Sequence, residues 1–121
     1  MKPIVRRFET PDESVTFPKG DFEKIILGGM TVGKATYAPG WKWSEHVGPS
    51  VGSKSCPVEH VGLVLSGQLV VRMDDATELV VRSGDLFWIP PGHDSWVVGE
   101  EPYVSIHLLG AGGYAVKEGS S

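Results

Sequence analysis

Short apolar segments with alternating polar positions recur along the chain from residue 22 onward. Each is bounded by Gly, Pro, Asp or Ser, and none has a helical period longer than two turns. This pattern predicts the strands of a β-sandwich or barrel, with Gly and Pro supplying the turns. The predicted strands are 22–27, 30–38, 41–46, 60–66, 68–73, 77–82, 86–89, 94–98 and 103–109.

Two segments lack the strand pattern. Residues 9–20 are polar and rich in turn formers, which predicts an amino-terminal arm or loop. Residues 47–59 form the longest irregular segment, and a loop of that length in a compact domain is usually functional or mobile. We therefore expect one domain, 1–121, with an arm over 1–20 and a barrel over 21–116.

Two short connections between predicted strands bear on which side chains face inward. Residues 73–77 contain two aspartates and predict a hairpin, and residues 99–102 predict a second tight turn. If the second turn is tight, position 95 pairs with 106. His93 and Ser95 then face the interior, on the side of Val104, Ile106 and Leu108. His107 would lie on the opposite face, near Asp94 and Trp96.

Charge and composition narrow the class of partner. The net charge of −4 and the pI near 5.5 disfavour binding to nucleic acid or to an anionic membrane. No apolar run approaches the ~20 residues that span a bilayer, and no signal-peptide core follows the first residues. Cys56 is the only cysteine, which excludes an internal disulfide. We expect a cytoplasmic protein.

Two segments resemble the sequence motifs of the cupin family. Gly40 precedes His46 by the spacing of the first motif, and His60 precedes Gly67 by the spacing at its end. Gly84, Pro90 and Gly92 match the second motif. The resemblance implies an all-β double-stranded β-helix, or jelly-roll barrel, with a pocket inside.

The same motifs depart from the family pattern at its metal-binding positions. Gly48 stands where the second histidine of the first motif would be, and His60 takes the place of the glutamate. In the second motif, Ser95 takes the histidine position, with His93 two residues earlier. The resemblance therefore implies an altered site. Its predicted ligands to a divalent transition metal (Zn, Ni, Fe or Mn) are His46, His60 and His93, completed by water or substrate.

Other residues are candidates for contact with a small ligand inside the barrel. Gly62 leaves room beside His60, and Ser95 faces inward. Trp88 should help to pack the barrel or form part of its wall. Glu59, like Asp94, could orient a metal ligand. Cys56 could join the metal site or react with an electrophile, or it is an incidental thiol.

Trp41 and Trp43 alternate onto one face of the predicted strand 41–46, opposite His46. If His46 points inward, the two indoles point outward and form an exposed apolar patch, which a partner surface is expected to cover. Together with the habits of the family, this pair predicts a homodimer.

Two functions compete at this stage. One is a metal-dependent enzyme such as an isomerase, dioxygenase or decarboxylase, with Glu45, Glu59 or a histidine moving protons. The other is a non-catalytic module that binds or senses a small organic molecule in a pocket with a degraded metal site. A structural or storage role is disfavoured by the small size and by the histidines.

Overall fold

The computed structural model describes residues 1–114, and strands make up most of its regular secondary structure. Its strands are β1 (Glu13–Phe17), β2 (Gly20–Leu27), β3 (Met30–Tyr37), β4 (His60–Ser66), β5 (Gln68–Met73), β6 (Glu78–Arg82), β7 (Leu86–Ile89), β8 (His93–Val98) and β9 (Tyr103–Leu109). The helices are single turns, α1 (Trp43–His46) and α2 (Gly48–Val51). No helix within residues 1–114 has the length and apolar character that crossing a membrane requires.

The strands form two antiparallel sheets that face each other across one core. One sheet has the order β1-β2-β3-β9-β4-β7, and the other has the order β6-β5-β8. Large side chains from both sheets meet in the core, among them Phe22, Val71 and Tyr103. The predicted all-β fold is confirmed, and eight of the nine predicted strands lie within two residues of observed ones.

The predicted strand 41–46 is wrong, because the chain turns into α1 after a single bridge between Lys42 and Trp96. Asp94 on β8 accepts hydrogen bonds from the Ser44 amide (3.0 Å) and the Ser44 hydroxyl (2.8 Å). A carboxylate that accepts hydrogen bonds from unpaired backbone amides at the start of a helix stabilises the helical turn relative to a continued strand.

The predicted arm, 1–20, contributes β1 to the larger sheet, where Val15 pairs with Phe22. Asp12 ties the preceding segment to β2 by accepting a hydrogen bond from the Ile26 amide (2.7 Å). The sequence did not predict this strand, because most of its residues are exposed at the edge of the sheet and their polar side chains obscure the strand pattern. At the other end, residues 115 and 116 of the predicted barrel lie outside the described residues.

The hairpin predicted at 73–77 is confirmed as the connection between β5 and β6. The Met73 amide donates to the Thr77 carbonyl (2.8 Å), and the Thr77 amide donates to the Asp75 carboxylate (2.9 Å). Aspartate therefore closes the turn through its side chain, as its place in the sequence indicated.

The connection at 99–102 does not form the predicted hairpin. β8 pairs with β5 in the smaller sheet, whereas β9 pairs with β3 and β4 in the larger one. The chain crosses between sheets here, so no register links β8 to β9. The inward side chains of β9 are therefore Tyr103, Ser105 and His107, and the predicted inward face of Val104, Ile106 and Leu108 is wrong.

Trp41 and Trp43 lie in the core, with exposed fractions of 1% and 2%, so the predicted outward pair is also wrong. Trp41 stacks on Tyr37, with ring centroids 3.7 Å apart. The indole Nε1 of each tryptophan is buried without a hydrogen-bond partner among the described residues. The turn into α1 brings both indoles under the sheets instead of leaving them on a strand surface.

Candidate metal centre

A cavity of about 30 Å³ lies between the two sheets. This volume holds roughly one or two water molecules. The lining is aromatic, aliphatic and neutral polar, and none of its side chains is a lysine, arginine, aspartate or glutamate. The lining residues are Tyr37, Trp43, His60, Leu69, Val71, Phe87, Ile89, His93, Ser95, Tyr103, His107 and Tyr114.

Cys56, His60 and His93 converge at one end of this interior. His60 begins β4 and His93 begins β8, so both project from strand starts. The loop that ends at Cys56 is tied to β8, since the Cys56 amide donates to the His93 carbonyl (2.7 Å). One ligand atom from each of the three lies within 4.8 Å of the others, and all three residues are buried. This group could hold a metal ion.

Burial sets the protonation of the three side chains. It lowers the pKa of His60 to about 2, helped by the neighbouring His107 and His93. It also lowers the pKa of His93, against the opposing effect of the Pro90 carbonyl. Burial raises the pKa of the Cys56 thiol to about 12. Both imidazoles are therefore in the neutral form that binds metals, whereas the thiol must lose its proton to do so.

The hydrogen bonds around the group suit metal binding. His93 Nδ1 lies 2.8 Å from the Pro90 carbonyl oxygen, which only accepts, so Nδ1 carries the hydrogen. Its Nε2 then has a free lone pair. His60 Nε2 lies 3.5 Å from Cys56 Sγ. A thiolate and two imidazoles whose other nitrogens are engaged by the protein are a common ligand set, so these residues fit a transition metal.

His107 lies inside the molecule, so its predicted place near Asp94 and Trp96 is wrong. Its Nδ1 is 3.3 Å from His60 Nδ1, and its Nε2 is 3.0 Å from the Ser105 hydroxyl. Burial lowers the pKa of His107 to about 3. The error follows directly from the incorrect β8–β9 register, which reversed the inward face of β9.

The structure does not bring His46 to the group. His46 lies at the end of α1, where its Nδ1 accepts a hydrogen bond from the Lys42 amide (2.9 Å). Cys56 stands beside His60 and His93 in its place. The sequence did single out Cys56, four residues before His60, but its spacing alone could not rank it above His46.

The remaining candidates divide between the cavity and the surface. Ser95 lines the cavity, as the sequence predicts. Trp88 is 60% exposed and donates its indole N–H to the exposed Glu59 carboxylate (2.7 Å), so neither lines the cavity. The space beside Gly62 is filled by the Phe87 ring and the Ile106 carbonyl, which leaves no room there for a ligand.

Sequence reasoning missed a tyrosine pair that lines the cavity, one member of which, Tyr114, packs against His60 with ring centroids 5.5 Å apart. The hydroxyls of Tyr37 and Tyr114 lie 2.6 Å apart, and burial raises the pKa of both. The turn that carries Tyr114 is held by the buried Lys24, which donates to the Tyr114 carbonyl (3.2 Å) and the Gly112 carbonyl (3.4 Å). No sequence pattern marks this contact, because 90 residues separate Lys24 from Tyr114.

Comparison with solved structures defines the fold. A protein of unknown function from Rhizobium leguminosarum superposes with a TM-score of 0.59 at 21% identity, over 90% of this chain and 97% of that one. The capsular polysaccharide assembling protein CapF from Staphylococcus aureus gives 0.58 at 19% identity, over 81% of this chain and 30% of that one. A structure of DMSP lyases gives 0.51 at 12% identity, over 73% and 45%.

No protein-family model and no curated protein matches the sequence. At these levels of identity the structural likeness concerns the fold alone. The two antiparallel sheets are those of the cupin-type fold. By its fold, the chain is a cupin-type β protein.

Proposed function

We propose that this chain is a metal-binding cupin-type protein whose centre is formed by Cys56, His60 and His93. The observation that carries the proposal is the convergence of donor atoms from three buried residues within 4.8 Å of one another, with His60 and His93 lining a cavity that has no charged side chain in its wall. Burying one thiol and two neutral imidazoles together gains little for folding by itself. A bound cation would convert the same arrangement into a stabilising one.

The donor set favours some metals over others. Thiolate and imidazole ligands suit Zn, Fe and Ni, whereas Mn prefers oxygen ligands. We therefore propose Zn or Fe ahead of Ni, with Mn disfavoured. When bound, such a metal supplies Lewis acidity to an oxygen of a ligand in the cavity. The aromatic lining excludes bulk water, and the Ser95 and Tyr114 hydroxyls line the space where a ligand would lie.

Metal analysis of the untagged protein tests this proposal. We expect about one metal ion per chain, and we expect Cys56→Ser, His60→Ala and His93→Ala each to reduce it below about a tenth of that. His46→Ala is the matched control and should retain the metal, because its side chain lies outside the group. Full metal retention in His60→Ala, or metal lost only in His46→Ala, would contradict the assignment.

The ligand in the cavity is proposed to be a small uncharged molecule. No ionic side chain lines the cavity, and its present volume admits little beyond water. A ligand larger than water requires a wall of the cavity to move. Turnover of a small organic compound would extend the proposal to a metal-dependent enzyme.

A non-catalytic binding or sensing role is the second candidate, and the position of the carboxylates favours it. Glu45 and Glu59, the proton carriers considered from the sequence, are exposed and lie outside the cavity lining. Proton transfer would therefore fall to neutral histidines and tyrosines. Saturable binding of a small molecule by the metal-loaded protein, without product formation, would support this candidate over an enzyme.

We also propose a homodimer, now on different evidence from the tryptophan pair. The outer face of β7, β4 and β9 carries exposed apolar side chains, including Leu86 (76% exposed), Trp88 (60%), Leu65 (47%) and Leu108 (46%). Val61 pairs with Trp88, and Leu63 pairs with Leu86, so the apolar positions are contiguous across the strands. Contiguous exposed apolar surface of this kind is typical of an interface between subunits.

A further inference from the structure

His107 stands directly behind the proposed metal ligand His60. Gly62 on β4 pairs with His107 on β9, and a register shift lies between Val61 and Gly62. The shift brings the two imidazole rings edge to face, with centroids 5.1 Å apart. Phe22 and Phe87 hold the His107 ring in similar edge contacts, at 5.2 Å and 5.6 Å. The ring is therefore fixed by packing on both sides.

The hydrogen bond between the two Nδ1 atoms has two possible directions. If His60 Nδ1 carries the hydrogen, His107 Nδ1 accepts it, and His107 Nε2–H donates to the Ser105 hydroxyl, 3.0 Å away. His60 Nε2 then presents a lone pair on the side of Cys56. In the opposite direction, His60 Nε2 carries the hydrogen and cannot bind a metal.

The Ser105 hydroxyl makes the first direction self-consistent. When it accepts from His107, its own hydrogen is free for another acceptor. Both ring nitrogens of His107 and the Nδ1 hydrogen of His60 are then paired inside the protein. His107 lies outside the group whose ligand atoms converge.

We propose that His107 is a positioning residue that accepts the Nδ1 hydrogen of His60 and so presents His60 Nε2 to the metal. This inference rests on the proposed metal centre. A metal-bound histidine is usually oriented by a carboxylate or a backbone carbonyl. Here an imidazole that is itself hydrogen-bonded to a serine would have that role. His93 has the usual arrangement, with the Pro90 carbonyl as its acceptor.

Long-range ¹⁵N–¹H correlation spectra of the zinc-loaded wild-type protein test the hydrogen positions. We expect His60 and His93 to be protonated at Nδ1 and His107 to be protonated at Nε2. His107 protonated at Nδ1, or a His107 nitrogen with the shift of a zinc ligand, would overturn the inference. This measurement needs no substitution in the core.

A pair of variants tests the energetic role. The His107→Leu change removes the acceptor and should weaken Co²⁺ or Zn²⁺ binding by about 10- to 100-fold in a chelator competition. The His107→Asn change keeps an acceptor near the Nδ1 position and should recover most of the loss. The Co²⁺ absorption bands should keep their wavelength and intensity in both variants, because the ligands are unchanged.

The outcomes separate this inference from the proposed function. Altered Co²⁺ bands in His107→Leu would make His107 a ligand and overturn its positioning role. Equal affinity in the wild type and in His107→Leu would do the same. A wild-type protein that binds neither metal would instead overturn the proposed function itself. Equal urea midpoints for the metal-free wild type, His107→Asn and His107→Leu show that the affinity difference arises at the site.

Discussion

Cys56 shows how strongly burial governs the chemistry of a single side chain. Its exposed fraction is 1%, and burial raises the pKa of the thiol to about 12, while the adjacent imidazoles are held neutral. Such a thiol is unreactive as a nucleophile at neutral pH. The reading of Cys56 as a residue that attacks electrophiles is therefore disfavoured, whereas a metal cation close by would stabilise its thiolate.

The pH dependence of metal affinity should be that of a site in which one thiol loses its proton on binding. A metal must displace the Cys56 proton, so affinity should fall about tenfold for each unit of decreasing pH over roughly pH 6 to 8. His60 and His93 have lowered pKa values and are already neutral, so they should release no protons. Calorimetry in buffers of different ionisation enthalpy should therefore find about one proton released per metal.

The control for this measurement is His46→Ala, which should show the same proton release as the wild type. If the pH dependence of metal affinity became steeper below roughly pH 6.5, the ordinary pKa of histidine, the metal would be displacing protons from imidazoles whose pKa is not lowered. That result would contradict the burial of the site. Release of no proton would exclude Cys56 as a ligand.

At the scale of the elements, the contact between β4 and β9 positions the site. Gly62 allows the Ile106 carbonyl and the Phe87 ring to approach closer than any side chain would permit. That approach brings His60 and His107 within hydrogen-bonding distance. The role of Gly62 is thus to let strands and rings pack closely, a usual reason for glycine inside a strand.

Gly62→Ala should destabilise the fold by about 1–3 kcal/mol, because the added methyl group would overlap backbone as well as the Phe87 ring, 2.6 Å from the new atom. Gly112→Ala is the matched control. Its methyl group would meet only Thr31, at 3.8 Å, and should change stability by less than about 0.5 kcal/mol. Urea unfolding measures both, and equal stability of the two variants would contradict the close packing at Gly62.

At the scale of the whole molecule, apolar surface is distributed unevenly. The inner faces of both sheets enclose the core and the buried residues His60 and His93, while the outer face of β7, β4 and β9 leaves Leu86 and Trp88 exposed. β7 is also an edge strand, with one side unpaired in its sheet. An exposed apolar edge is a liability that proteins usually cover, and a second copy of this chain is the partner that we propose.

Leu86→Glu should raise the dissociation constant of the homodimer at least about tenfold, since it places a charge at an apolar side chain of this face that is 76% exposed. Val80→Glu is the control, because Val80 is a similarly apolar, 43% exposed residue on β6 in the other sheet. Sedimentation equilibrium over a range of concentrations measures both. A monomeric wild type, or equal weakening by both substitutions, would contradict this interface.

Much of the architecture could be predicted from the chain itself, because strand alternation and turn chemistry are local properties. Eight strands and the hairpin closed by Asp75 follow from such patterns, whereas the cupin-type fold was implied by the resemblance of two segments to the motifs of that family. His60 shares one face with Gly62 and Val64 by parity along a single strand, which is a local property. His93 and Ser95 do face inward, but they were predicted to do so from a β8–β9 register that the structure does not contain. The Trp41–His46 segment was misread because its helical turn depends on Asp94, a residue 50 positions away from Ser44.

By itself, the sequence determined the class of fold, most strand bounds and the inward side of β4. Only the tertiary structure decided the composition of the site: it brought Cys56 to His60 and His93, turned His46 back onto its own helix and placed His107 behind His60. The physical reason is that alternation and turns arise from neighbouring residues. Whether side chains from distant strands meet depends instead on which sheet each strand joins. The four-residue connection at 99–102 crosses between the sheets and so places β9 in the larger sheet, whereas β8 lies in the smaller one.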